Sequence, residues 1–303
     1  MDDALVIARF VHFAAAMTAF GAAAFGLYGF DPNSAGPERK AAARLDNWNI
    51  TLLRIGALVM LASGLAIVPC IGARMAGSAS AAFDADAIAT VLSATEFGHV
   101  WCWHLLIAVL LIGSAMLAAH RPALNLSWAA LALASLGWVG HAAGGSGLAG
   151  LARELNQSVH LLAAGLWLGG LLPLALLLRR SGEAPFNILL SEALPAFSHM
   201  GYGAVAAIAI TGIVNTSMLA GDVDALVRTD YGKLLAVKIV LYLAMVAIAL
   251  RNRFRLMPRV TSGDARANSA LYRSVLLEQA IGLGILAAVS LLGIRPPPFM
   301  HRH

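Results

Sequence analysis

Residues 232–255 read GKLLAVKIVLYLAMVAIALRNRFR, an apolar run long enough to cross a bilayer as one helix and closed by Arg251, Arg253 and Arg255. Such a stretch has lipid or other apolar helices around it, and the arginines mark where the chain leaves the membrane. Working outward, runs of this kind recur along the whole chain. They place helices at roughly 4–29, 50–72, 97–119, 127–147, 156–178, 199–220, 232–251 and 274–294. Of the 303 residues 59% are hydrophobic and only 12% charged, too few charges to cover the surface of a water-soluble protein of this length. The expected fold class is therefore all-α, a polytopic membrane helical bundle of about eight transmembrane helices forming a single membrane domain over 1–303.

The charges that remain sort by side. Arg39, Lys40, Arg44, Arg121, Arg179, Arg180, Arg251, Arg253, Arg255, Arg259, Arg266 and Arg273 fall in the first, third, fifth and seventh connections, which the positive-inside rule assigns to the cytoplasm. Asp2, Asp3, Asp84, Asp86, Glu96, Asp222, Asp224 and Asp230 fall on the opposite side, so both termini are expected to be periplasmic. The net charge of +5 sits in these connections, where topology explains it, and nucleic acid is not an expected partner. The opening MDDALVIARFVHF carries acids where a secretory signal carries bases, and reads as a retained first helix. The segment DADAIATVLSATEF, 84–97, reads as a short interfacial helix over the bundle. HAAGGSGLAG, 141–150, reads as a glycine-rich outer loop.

Ionisable groups inside membrane helices are expensive, and each asks for a partner or a role. His12, His99, His104, His141 and His160 come from four helices, yet the alternating topology puts all five in the outer third of the membrane. Imidazoles at one depth, with Cys102 between His99 and His104 and with Cys70, Met218 and the C-terminal Met300, His301 and His303 near the same side, form a ligand set suited to a copper ion. The alternative for each histidine is a hydrogen-bonded packing residue. Cys70 and Cys102 number too few for a disulfide scaffold, though a single bridge forms if helices two and three touch there. Trp101 and Trp103 read as an aromatic belt. Arg54 and Glu278 read as a structural ion pair near inner helix ends, and Asn215 as an interhelical hydrogen-bond partner or part of a polar conduit.

Several strings taken together resemble the CopD family of copper resistance and copper homeostasis membrane proteins: RFVHF at 9–13, GHA at 140–142, HLLAAGLWLGGL at 160–171, AFSHMG at 196–201, GIVN at 212–215, YGKLLAVK at 231–238, Glu278 and RPPP at 295–298. The resemblance covers nearly the whole chain and is densest over 195–298. It implies a multi-pass protein of the bacterial inner membrane, not an enzyme, that passes copper from periplasm to cytoplasm, often beside a small periplasmic copper-carrier protein. Carried over residue by residue, it favours His12, His141 and His160 as metal contacts. Two positions depart from the family pattern: NQS at 156–158 replaces a frequent acid, and Ala196 replaces a frequent basic residue. Two other functions fit the same residues. Paired histidines on facing helices hold a haem in b-type cytochromes, and acidic outer loops suit a docking protein for a basic carrier.

Overall fold

A computed structural model of the chain describes residues 2–31, 38–139, 147–220 and 228–295. Among them all regular structure is helical. In chain order the helices are α1 (Asp2–Tyr28), α2 (Glu38–Ala76), α3 (Ala85–Ala94), α4 (Glu96–Leu117), α5 (Pro122–Ser135), α6 (Gly147–Arg179), α7 (Ala184–Ala220), α8 (Asp230–Thr261) and α9 (Ala265–Leu292). α6 contains a π-helical turn at Gly165–Gly169, and α8 one at Asn252–Leu256.

Seven of these, all but α3 and α5, are long and apolar enough to span a bilayer, which bears out the multi-pass helical bundle. The span expected at 127–147 is represented by α5, extended by a 3-10 turn over Leu136–Trp138, while 140–146 lie outside the described residues. α3 is the short helix expected in the long outer connection. α2 begins about a dozen residues before its expected start, because ERKAAARLDNWN at 38–49 is built from good helix formers and buries Ala41, Ala42 and Leu45. The caps are local. Thr95 accepts from the Gly98 N–H at 2.9 Å, and Asp264 accepts from Arg266 and Ala267 N–H groups ahead of α9. Those amides, Ala267 foremost, and the Arg259 guanidinium hold the half-buried Asp264 carboxyl below the usual carboxylate range.

α1 is the hub, packing on α2, α5, α6 and α9. A Cβ added to Gly21 would lie 2.1 Å from the Gly169 backbone, and one added to Gly169 would lie 2.0 Å from the Met17 carbonyl. Glycine at both positions lets α1 and α6 touch backbone to backbone, at the same place where α6 widens into its π turn. The Asp2–Arg74 ion pair at 3.3 Å and the Arg74 hydrogen bond to the Ile294 carbonyl at 2.8 Å put the start of α1, the end of α2 and the end of α9 on one face. On the opposite face Trp48 of α2 stacks on Phe186 of α7 at 5.8 Å, with Arg180 over its ring.

Candidate metal centre

α1 and α4 each bring one imidazole to a point where four helices meet. His12 and His104 are 1% and 0% exposed, and their Nε2 atoms lie 3.0 Å apart. Behind each ring stands a serine. His12 Nδ1 is 3.0 Å from Ser63 Oγ on α2, and His104 Nδ1 is 2.8 Å from Ser135 Oγ at the end of α5. The serines bear on the tautomers. Ser63 Oγ lies 2.6 Å from the Val59 carbonyl and Ser135 Oγ 2.8 Å from the Ala132 carbonyl. A hydroxyl that donates to its backbone carbonyl leaves its Oγ to accept the histidine Nδ1–H. In their neutral forms both histidines therefore present a lone pair at Nε2, and those two lone pairs face each other.

The surroundings hold the pair rigidly. Trp101, three residues before His104, stacks on it at 4.9 Å and 26°, and donates from Nε1 to the Gly64 carbonyl at 3.0 Å. A Cβ on Gly64 would come within 3.2 Å of His12 Cε1 and 3.0 Å of Leu105, so glycine is what lets α2 close against the rings.

A second polar layer joins α6 to α7. His160, 8% exposed, places Nδ1 2.8 Å from Thr211 Oγ1, and that hydroxyl donates in turn to the Ala207 carbonyl. The latch is the same as in the pair, and again leaves Nε2 as the acceptor. No second imidazole meets it among the described residues. Around it Asn156 Nδ2 donates to the Thr211 carbonyl at 3.1 Å and to Asn215 Oδ1 at 2.9 Å, and Asn215 Nδ2 donates to Gln157 Oε1 at 2.8 Å. The two layers abut at the α5–α6 seam, where Ser158 Oγ donates to the Ala134 carbonyl at 2.8 Å, one residue from Ser135 and two from His160.

Of the five outer histidines, then, the structure unites two. His141 lies outside the described residues, as do Met300, His301 and His303. His99 is exposed, with Nε2 2.9 Å from the Ser93 carbonyl, and serves the α3–α4 corner rather than the pair. Cys102 is an exposed free thiol two residues from His104, a spacing that points side chains to different faces of a helix, so it is not a third ligand to the pair. Cys70 is also free, and no disulfide joins the two. Met218 is 41% exposed and stands apart. Among the described residues no group of three or more His, Cys, Asp or Glu forms a metal cage.

Three other expectations change. Trp103 is 65% exposed, as a belt residue is, but Trp101 is buried and walls the histidine pair. Arg54 and Glu278 do not pair: Arg54 Nε donates to the Ala115 carbonyl at 3.0 Å, and Glu278 accepts from Asn252. Asn215 is an interhelical hydrogen-bond partner. Ser63, Ser135, Thr211, Asn156 and Gln157 escape a search for ligands by residue type, because hydroxyls and amides inside apolar helices look like packing until their partners are seen.

The chain matches two family models, "Copper resistance protein D-like, N-terminal domain" over residues 1–151 and "Copper resistance protein D" over 191–292. It is 31% identical over 290 residues to "Inner membrane protein YebZ" of Escherichia coli (strain K12), covering 95% of this chain and 97% of that one. It is also 31% identical over 313 residues to "Copper resistance protein D" of Pseudomonas syringae pv. tomato, covering 98% of each. A third relative, "Copper transport protein CutJ" of Bacillus subtilis (strain 168), is 28% identical over 144 residues, 48% of this chain and 25% of its own length. No solved structure matches the chain.

Proposed function

We propose, from the premise that this chain belongs to the copper resistance protein D family and is a multi-pass inner-membrane protein of copper homeostasis, that it moves a copper ion from periplasm to cytoplasm through the His12–His104 pair. One observation carries the proposal: two Nε2 lone pairs, each fixed by a latched Nδ1, facing each other at 3.0 Å. With both lone pairs turned inward, the pair is arranged to take a cation between its two nitrogens. Copper(I), a d10 ion content with two nitrogen ligands in line, suits such a pair. At about 2 Å per metal–nitrogen bond the rings must part by about 1 Å from their present separation. Donation of the remote ring N–H to a fixed acceptor is the support that metal-bound histidines ordinarily have.

His160 then serves as the next nitrogen along the path, across the seam at Ser158. With the basic connections in the cytoplasm, the face shared by the chain ends is periplasmic, and the pair lies on that side. The acidic Asp84, Asp86 and Asp230 suit arrival from a periplasmic carrier protein. No covalent step on a substrate is needed, and the protein acts as a transporter rather than an enzyme. The haem reading fits the geometry poorly, since the Nε2 atoms lie only 3.0 Å apart and Trp101 and Gly64 close on the rings, leaving no slot for a macrocycle.

The experiment is cellular copper accumulation with His12→Ala, His104→Ala and His160→Ala. Altered accumulation in each is expected, and wild-type accumulation in all three overturns the proposal.

A further inference from the structure

The half of the bundle away from the chain ends carries a buried carboxyl that the copper path leaves unused. Glu278 lies half-way along α9 and is 3% exposed. Asn252 Nδ2 donates to its Oε1 at 2.6 Å, while Asn252 Oδ1 accepts from Ser274 Oγ at 2.7 Å, which locks the amide with its NH2 toward the carboxyl. Trp167 of α6 lines the same cavity as Glu278. Asn252 opens the π turn of α8, a local widening in which it is buried together with Leu256.

A cavity of about 100 Å³ reaches Glu278 between α6, α7, α8 and α9, against roughly 10–15 Å³ needed for one water. Its wall runs from Glu278 past Leu271, Met257 and Arg253 toward the α8–α9 connection, and Tyr202, 46% exposed, lies at its edge. The other titratable groups facing this space are Arg253 of α8 and Tyr202 of α7, whereas α6 contributes only neutral side chains and α9 only Leu271 and Val275 besides Glu278. No cation lies within ion-pair distance of Glu278 among the described residues.

The carboxyl is thus buried inside a membrane-spanning helix, held by one amide donor, and borders a cavity with room for water. We infer that Glu278 is a proton-exchange site: its carboxylate takes a proton from water in the cavity and returns it there. On the premise that the chain carries copper, this exchange couples metal movement to proton movement. Two oppositely disposed sites result, imidazoles on the chain-end side for the metal and a carboxyl on the other side for the proton.

The test uses the full-length protein in proteoliposomes enclosing a pH-sensitive dye, given copper(I) outside. Wild-type protein is expected to change the internal pH as copper enters, and Glu278→Gln to lose that change while binding the same amount of copper; Glu278→Asp restores part of it. Proton movement in Glu278→Gln equal to wild type overturns the inference. A second readout stands free of transport: infrared spectra of the copper-free protein across pH should show a protonated-carboxyl C=O band that titrates and is missing from Glu278→Gln. Absence of that band from wild type overturns the inference as well. Should wild-type vesicles take up no copper, the transport premise fails and the infrared titration alone decides Glu278.

Discussion

The two histidine layers are built with one device and end differently. In the N-terminal half, Ser63 and Ser135 each spend their proton on a carbonyl of their own helix and hold an imidazole by Nδ1, so that His12 and His104 meet nitrogen to nitrogen. In the C-terminal half, Thr211 holds His160 in the same way, but the free nitrogen meets no second ring among the described residues. Packing differs as well: α7 and α8 are the least buried of the spans, and the cavity at Glu278 opens between them, α6 and α9.

The largest effect expected from breaking this contrast is on the pair. His104→Ala should abolish copper binding by purified protein in equilibrium dialysis, and His12→Ala with it should cost no more than either alone, because both rings serve one ion. A double variant that is clearly worse than each single one would mean two separate sites. Next come the latches. Ser63→Ala or Ser135→Ala frees an Nδ1–H, and the loss of its buried acceptor should cost about 1–3 kcal/mol of stability, with copper affinity falling about 10–100-fold as for other outer-shell partners. Thr211→Val should leave equilibrium binding intact and slow uptake, which separates the gripping site from the passing one. Proton and metal compete for the same Nε2 lone pairs, so copper affinity should fall as pH is lowered. Smallest of all, His99→Ala and Cys102→Ser should change stability by no more than about 0.5 kcal/mol and leave binding unchanged.

Much of this was legible in the sequence. Apolar run length and the basic connections foretell the helices, since a bilayer leaves a buried backbone no other way to satisfy its hydrogen bonds. Depth was legible too, because helix direction and residue count place His12 and His104 at one level. Rotation was not. Whether a ring faces its partner or the lipid depends on how helices pack, and glycines such as Gly64 and Gly169 reveal their purpose only when the opposing backbone is seen. For that reason Cys102 looked like a ligand beside His104, Trp101 looked like a lipid anchor, and the hydroxyls that fix the tautomers passed unnoticed.

X-ray absorption at the copper edge of protein loaded with copper(I) tests the central claim most directly. The account predicts a low-coordinate site of two imidazole nitrogens at about 2 Å, lost in His104→Ala. A spectrum dominated by sulfur neighbours, or one unchanged in His104→Ala, would contradict it.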